Sequence, residues 1–555
     1  MRNRFAFVGF LVVLVFSGVS VFAQGPCSSQ SGKLACVIPQ EYGINTPGST
    51  TFNFGTVLFD PTNPKGRNFH PEHFSSEFGT QLGPLTSAIG RQANLLPMAS
   101  PSSGVLLTYD PSLKTFVVST SSLGPILGER GDTVGRHKLF VGFSYQFFNF
   151  DKIDGVNLRG VPAILTHQDD KFDNSNPPGS NPCSTNPANG SDLGGCAFVR
   201  DSIYSQNSIS LKINQYTGYI TFGLTKHVDV SMVIPFESVR MSLYSQDTIV
   251  LGSDGSFKPL PGSPDSSILN QNGLSNGAPY FFHLFKDCPD TSPAAGASAL
   301  ASQCLNHTFP DPAWIGSASA PNGSSSVNSA SGIGDVVARV KWNAWSGEHL
   351  RFASGLDMRF PTGDALNFLG SGSYGVKPFV VLSYRARVSP HVMVGYEWNS
   401  NSILSSRVNV IPAANPLLNA QSSIGLLTGK KGYMPSDFLY SAGLDAWITK
   451  WLTGSFDVVG ARFLRGGTES VTSQQFPAPC TAGCLAEPSP ATVSQNNLAP
   501  NFDASYSVTN ASAGVKIRPL PKVSKLVVTA NVLVRLDNGG LHAKPAPMAG
   551  LGYTF

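Results

Sequence analysis

Charge is what this chain of 555 residues has least of: Lys, Arg, Asp and Glu make up 13% of it, against about 25% in an ordinary soluble domain. The balance is also near neutral, 38 basic residues against 34 acidic ones, for a net charge of +4. So small and dispersed an excess gives no electrostatic footprint for nucleic acid. The 56 glycines have no period of three, which excludes collagen. Beyond residue 24 no run of 18 apolar residues occurs, which excludes a helical inner-membrane protein. No G-x-S-x-G, H-E-x-x-H, P-loop or dinucleotide fingerprint is present, so no catalytic group and no cofactor are expected. The ten histidines are scattered; His70 and His73 are split by Pro71. Asp169, Asp170 and Asp173 lack the Gly and Glu of a calcium loop and read as solvated, so no metal is expected. What the chain does have is a 41% share of hydrophobic residues, enough to build a core.

The N-terminus has the build of a secretory signal peptide. Arg2 and Arg4 precede an apolar run from Phe5 to Phe16, and Val21-Phe22-Ala23 sets small residues at a cleavage point before Gln24. Ser17, Gly18 and Ser20 interrupt the run before it could span a membrane. The expected organisation is a signal over 1–23, an N-terminal segment over 24–135 and a β-barrel over 136–555.

The other end carries the sharpest pattern. Ala549, Leu551, Tyr553 and Phe555 alternate with Met548, Gly550, Gly552 and Thr554. A period of two is a strand, and this one resembles the closing strand of bacterial outer-membrane barrels, with Leu551, Tyr553 and Phe555 as an assembly signal read by the barrel assembly machinery. Similar strands recur upstream. Val336, Ala338, Val340 and Trp342 oppose Asp335, Arg339, Lys341 and Asn343; Val392, Val394, Tyr396 and Trp398 oppose Glu397 and Asn399. These strands are longer than the usual 5–6 residues, and their polar faces are rich in Ser, Thr, Gly and Asn rather than Lys and Glu.

Connections alternate strictly between short and long. The short ones are Thr225–His227, Trp345–Glu348, Ser389–Pro390, Thr449–Lys450 and Pro519–Pro521; the long ones fall over about 151–206, 248–331, 362–374, 400–436 and 466–504. Short periplasmic turns and long extracellular loops are the outer-membrane pattern. The fold class is therefore all-β, a transmembrane antiparallel up-and-down barrel in the cell outer membrane of a Gram-negative-type bacterium, facing its lipid and lipopolysaccharide. Twelve strands follow from residue 136 onward. Val105–Tyr109 and Lys114–Thr120 form a further hairpin, which gives fourteen if it joins the wall. Residues 24–103, rich in Pro, Gly, Ser and Asn, fit a periplasmic extension, a lumen plug or disorder.

Eight cysteines fall into four local couples: Cys27 with Cys36, Cys183 with Cys196, Cys288 with Cys304, and Cys480 with Cys484. A secreted chain permits disulfides. The last three couples each lie within one long loop, where a bridge contributes about 2–3 kcal/mol in the chain-entropy model. Cys480 and Cys484 have a spacing that zinc can use, but no His or second couple stands near them, so the disulfide reading is preferred.

Charge on a lipid face costs about 2–4 kcal/mol at the bilayer midplane, which is a physical reason for strand charges to point inward. The candidates for lining the channel are Lys138, Arg339, Lys341, Arg351, Arg359, Lys377, Arg385, Arg387, Lys516 and Arg535, with Asp229, Asp335, Asp357, Glu397, Asp445 and Asp457. They serve either as a structural network that fills the lumen or as a polar constriction. Their mixed signs speak against strong ion selectivity.

Three consecutive stretches carry a family resemblance: Ser331-Gly-Ile-Gly-Asp-Val-Val-Ala-Arg-Val-Lys-Trp342, Gly355-Leu-Asp-Met-Arg-Phe-Pro-Thr-Gly-Asp364 and Leu369-Gly-Ser-Gly-Ser-Tyr-Gly-Val-Lys-Pro378. They resemble outer-membrane proteins grouped as the meta-pathway phenol-degradation family, a transporter family similar in kind to the long-chain fatty-acid outer-membrane transporters. Ser122 to Gly135 also looks like a family segment. The resemblance implies passage of small hydrophobic or aromatic compounds and brings no catalytic residues. The chain departs from short members in its 248–331 loop and its cysteine couples. The expected function is passive uptake of small solutes; the alternative is a surface-recognition barrel with a closed lumen.

Overall fold

A computed structural model describes residues 27, 32–38, 82–93, 95–101, 107–110, 115–118, 123–166, 202–250, 306–309, 329–405, 425–477, 492–519 and 525–555. Of the four cysteine couples, Cys27 and Cys36 are joined in a disulfide. The bridges expected between Cys183 and Cys196, between Cys288 and Cys304, and between Cys480 and Cys484 fall on residues outside the described ones. The signal peptide, His70 and His73, and Asp169, Asp170 and Asp173 also lie outside the described residues.

Twelve long strands form the wall: β1 (Leu139–Ile153), β2 (Ser202–Gly223), β3 (Val228–Val250), β4 (Val336–Ser346), β5 (Leu350–Phe360), β6 (Gly375–Tyr384), β7 (Val388–Asn399), β8 (Asp437–Thr449), β9 (Leu452–Phe463), β10 (Tyr506–Ile517), β11 (Leu526–Arg535) and β12 (Ala546–Thr554). Each pairs antiparallel with the next, and β12 returns to β1 through Met548↔Gln146 to Thr554↔Phe140. Closure leaves the wall without an edge, so every backbone polar group at membrane depth has a neighbour. The wall has twelve strands rather than fourteen, because the hairpin of Leu107–Asp110 and Thr115–Val118 pairs with itself alone.

The period of two assigns the faces. Val340, Val380, Val392, Val394, Leu444 and Leu551 point outward and are exposed, as a lipid-facing belt requires. Exposed aromatics stand at both rims, Trp345, Tyr384, Trp451 and Phe555 beside the short turns and Tyr374, Trp398 and Tyr433 beside the long loops. Their amphipathic rings suit the membrane–water interface. Tyr553 packs against Phe555 on the outer face of β12, ring centroids 4.6 Å apart. The inner faces carry Ser144, Thr221, Ser231, Asn343, Ser441 and Ser512, all buried. The chain is thus an outer-membrane β-barrel in contact with lipid. Among the described residues no helix is long and apolar enough to cross a membrane.

Strands β2 and β3, of 22 and 23 residues, run on past the other strands at the long-loop end. The short strand Val161–Thr166 adds to the start of β2. A hairpin of Thr468–Pro477 and Thr492–Asn501 packs against it, with the Ile164 N–H donating to Asn497 Oδ1 at 2.9 Å.

Three pieces of the N-terminal segment occupy the barrel. Helix α1 (Leu82–Ala93) is buried along its whole length at the long-loop end. Its Pro84 sits in the first turn, where a missing N–H costs nothing. Gly90 lets the helix meet the loops: a Cβ there would come 2.8 Å from Phe368 Cε1 and 3.0 Å from Leu404 Cδ2. The disulfide Cys27–Cys36 stands beside it, and Lys33 Nζ pairs with Asp364 Oδ2 at 2.6 Å. Residues 95–101 lead inward from α1. Residues 123–135, the strap, cross the short-turn end and run into β1.

Candidate solute path

The strap has no regular structure, so its backbone groups must find partners in the wall. They do so in sequence order. The Leu123 N–H donates to Thr453 Oγ1 (3.0 Å), Leu127 to Asp457 Oδ2 (3.3 Å), Gly131 to Ser383 Oγ (3.0 Å) and Val134 to Asp229 Oδ2 (2.9 Å). The fully buried Lys516 ammonium donates to the carbonyls of Leu123 (3.4 Å) and Pro125. Asn343 Nδ2 donates to the Gly131 carbonyl at 2.5 Å. Glycines at 128 and 131 bring the strap backbone against the wall: a Cβ at Gly131 would lie 2.9 Å from Arg351 Cβ, and one at Gly128 2.6 Å from Asp457 Oδ1.

Two strap carboxylates dock on wall cations. Glu129 takes Arg339 Nη1 (2.6 Å), Lys341 Nζ (3.0 Å) and Ser100 Oγ (2.8 Å). Asp132 Oδ1 takes Arg385 Nη2 (2.6 Å) and lies 3.3 Å from Arg351 Nε. Hydrogen bonds between ionised partners are the strong ones, and low dielectric strengthens them further.

The wall adds pairs of its own across neighbouring strands. Arg339 forks onto Asp357 through Nε (2.6 Å) and Nη2 (2.8 Å), and Lys377 Nζ reaches the same carboxylate at 2.9 Å. The Arg339 guanidinium also stands 4.8 Å from the Phe379 ring centroid, a cation–π contact. Arg359 bonds Glu397 Oε1 (3.0 Å) and Asp335 Oδ2 (3.5 Å). Asp335 in turn accepts from the N–H groups of Gly363 and Ser371, which fixes the loop after β5. His391 lies between Asp457 Oδ1 (2.7 Å from Nε2) and Asp445 Oδ1 (3.4 Å from Nδ1).

Of the residues the sequence singles out, Asp229, Arg339, Lys341, Arg351, Asp357, Arg359, Lys377, Glu397, Asp445, Asp457, Lys516 and Arg535 stand on inner faces of the strands. Asp335 sits just before β4. Arg535 is spent on Asp537 at 2.8 Å, at the long-loop rim. Three others lie at the short-turn mouth. Arg385 reaches in to Asp132, Lys138 is half-buried before β1, and Arg387 is exposed. Arg387 is therefore no part of the inner face: β6 ends at Tyr384, and the alternation was carried into a turn, where it has no meaning. Residues that the sequence reading passed over are His391 and Asp437, on the inner faces of β7 and β8, and the strap's Glu129 and Asp132. His391 has the parity of Glu397, and Asp437 that of Asp445, so alternation could have found both. No periodicity marks the strap.

Between the strap and residues 95–101 the wall encloses a cavity of about 220 Å³. Its lining mixes apolar side chains, among them Leu95, Leu96, Met98, Val459 and Val508, with the charged Arg339, Asp357, Lys377 and Glu397. At the long-loop end a second polar knot holds α1. Arg91 Nη2 donates to the Gly466 carbonyl (2.8 Å), and Asp154 accepts from the N–H groups of Glu469 (2.9 Å) and Gly540 (2.5 Å). Burial pushes the Glu469 carboxyl well above the ordinary carboxylate range; the neighbouring Asp154 adds to this and Arg91 opposes it. Burial raises Asp154 also, against its two N–H bonds.

Fold and cavity together define a twelve-stranded outer-membrane barrel whose lumen holds part of its own N-terminal segment beside a chamber of mixed lining. Residues 296–409 match the family model described as "Putative MetA-pathway of phenol degradation". The match encloses residues 331–388, where the sequence resemblance is clearest, and bears that resemblance out. No curated protein matches the chain. Among solved structures, the chain is similar to an outer membrane channel from Pseudomonas putida F1, with 9% identity, coverage of 77% of this chain and 99% of that one, and a TM-score of 0.36. It is similar also to the Pseudomonas putida toluene transporter TodX, with 8% identity, 83% and 97% coverage and a TM-score of 0.23. The NanC porin aligns at 7% identity over 64% of this chain and 98% of that one, with a TM-score of 0.27.

Proposed function

We propose that the protein is a passive outer-membrane channel for small hydrophobic or aromatic solutes. The observation that carries this reading is the cavity inside the barrel, whose lining combines apolar side chains with hydrogen-bonding ones. An apolar cavity of about 150 Å³ is enough to take benzene, so a chamber of about 220 Å³ holds a one-ring solute. A site of this kind slows passage and selects, whereas a wide water-filled pore does neither. The inner-face charges serve two ends on this reading: Lys516, Asp229 and the His391 pair fasten the strap, while Arg339, Asp357, Lys377 and Glu397 face the chamber. Leu551, Tyr553 and Phe555, outward on the last strand, are the residues offered to the assembly machinery, and lipopolysaccharide is the outer-leaflet neighbour.

Uptake by protein-loaded liposomes tests the reading, with toluene, phenol, hexane and a sugar as solutes. Aromatic flux above that of empty liposomes, with sugar flux low, is expected. A barrel with a closed lumen is the reading favoured by the filling of both ends by α1 and the strap, and it gives no flux for any solute.

A further inference from the structure

We infer that the chamber accepts an organic carboxylate, an apolar body with an acid head, and that Glu129 of the strap occupies the place of that head until it arrives. The inference rests on the channel reading for where the ligand goes next, but it concerns a binding site and is tested as one.

Four observations lead here. First, at and below the level of Asp357, β3 to β6 and the turn after β6 send five cations inward, Arg339, Lys341, Arg351, Lys377 and Arg385, against two carboxylates, Asp229 and Asp357. This part of the wall, taken without the strap, carries three more cations than carboxylates (5 − 2). Second, the groups that meet this excess are not wall residues. They are Glu129 and Asp132, carried on a strap without regular structure. Third, the Glu129 carboxylate is held as a bound carboxylate ligand would be, by a guanidinium at 2.6 Å, an ammonium at 3.0 Å and a hydroxyl at 2.8 Å. Fourth, Glu129 and Arg339 both line the chamber, which the apolar side chains of Leu95, Leu96, Met98 and Val459 line as well.

An acid whose ring rests on those apolar side chains can offer its carboxylate to Arg339 Nη1 and Lys341 Nζ. Arg339 keeps its fork on Asp357 throughout. The exchange replaces one carboxylate by another, so the buried cations are never left bare, a state that burial makes strongly unfavourable. A neutral ligand offers no such exchange and leaves the strap where it is. Ligand charge is then coupled to strap release, by competition for one pair of donors.

Calorimetric titration of the full-length protein in detergent, with benzoate and with benzyl alcohol, tests this. Benzoate is expected to bind at least tenfold more tightly to Glu129→Gln than to the unsubstituted protein, with benzyl alcohol unchanged. Adding Arg339→Gln is expected to abolish the gain. Heat-modifiable gel migration checks that each barrel is folded. A second measurement needs no variant: in the unsubstituted protein, saturating benzoate should speed hydrogen exchange at the Leu127, Gly131 and Val134 amides, and benzyl alcohol should not. Equal affinities for the two ligands in both proteins, or strap exchange unmoved by benzoate, overturns the inference. Benzoate binding of the expected kind without solute flux into liposomes would leave it standing and remove the channel reading instead.

Discussion

Gly128→Val isolates the strap from the wall, because the substitution lies wholly on the strap. A Cβ at this position would press on Asp457 Oδ1 at 2.6 Å and on His391 Nε2, and valine adds two methyl groups beyond it. Neither neighbour can retreat easily, since His391 and Asp457 are buried and bonded to each other at 2.7 Å. Overpacking of this kind costs about 1–3 kcal/mol. That cost falls on the docked strap alone and shifts the docked-to-released ratio by roughly 5- to 150-fold. In planar bilayers the variant should open far more often than the parent chain. Its folded barrel should migrate unchanged on unheated gels, since every strand keeps its pairing. An intact barrel with the parent's conductance would show that the strap does not control the path.

Three further outcomes follow from other parts of the molecule. Cys27→Ser with Cys36→Ser removes a short closed loop worth about 3 kcal/mol in the chain-entropy model, so α1 and the segment beside it at the long-loop end should melt earlier while the barrel does not; calorimetry with and without reductant reads this. Glu469 has a raised folded-state pKa, so its contribution is present in acid and lost as pH rises through that value, when charge enters the knot beside Asp154. Exchange at the amides of α1 should therefore quicken with pH beyond the intrinsic rate, and Glu469→Gln should flatten the excess. Val394→Lys, outward and exposed on β7, should lower barrel stability by about 2–4 kcal/mol in a lipid-bilayer denaturation series; the same change at an extracellular loop position should not.

Much of this architecture can be read from one sequence, because a strand between lipid and lumen alternates strictly. Asp357 and Arg359 against Leu356 and Met358 declare their faces from spacing alone, and the length of each connection declares its side of the membrane. What the pattern did not contain is anything that fills the barrel. The backbone of residues 123–135 finds its wall partners far away in the sequence; they are Thr453, Asp457, Ser383 and Asp229, on three separate strands. Glu129 and Asp132 therefore carry no signal in the spacing, although they pair with the wall's cations. Arg387 erred in the other direction, since parity was continued past Tyr384 into a turn. The reach of β2 and β3 above the membrane was hidden as well, because their upper halves alternate as their lower halves do.

The strap also constrains the order of assembly. It is joined directly to β1, and β1 is half of the seam that closes on β12 from Phe140↔Thr554 to Gln146↔Met548. First and last strands meet across most of the chain, a pairing of very high sequence separation and so among the slowest contacts to form. A cylinder already shut could admit α1 and residues 95–101 only by threading them through an end. Filling before or during closure avoids that passage: the growing sheet then curls around its own N-terminal segment, and the seam seals last over an occupied lumen.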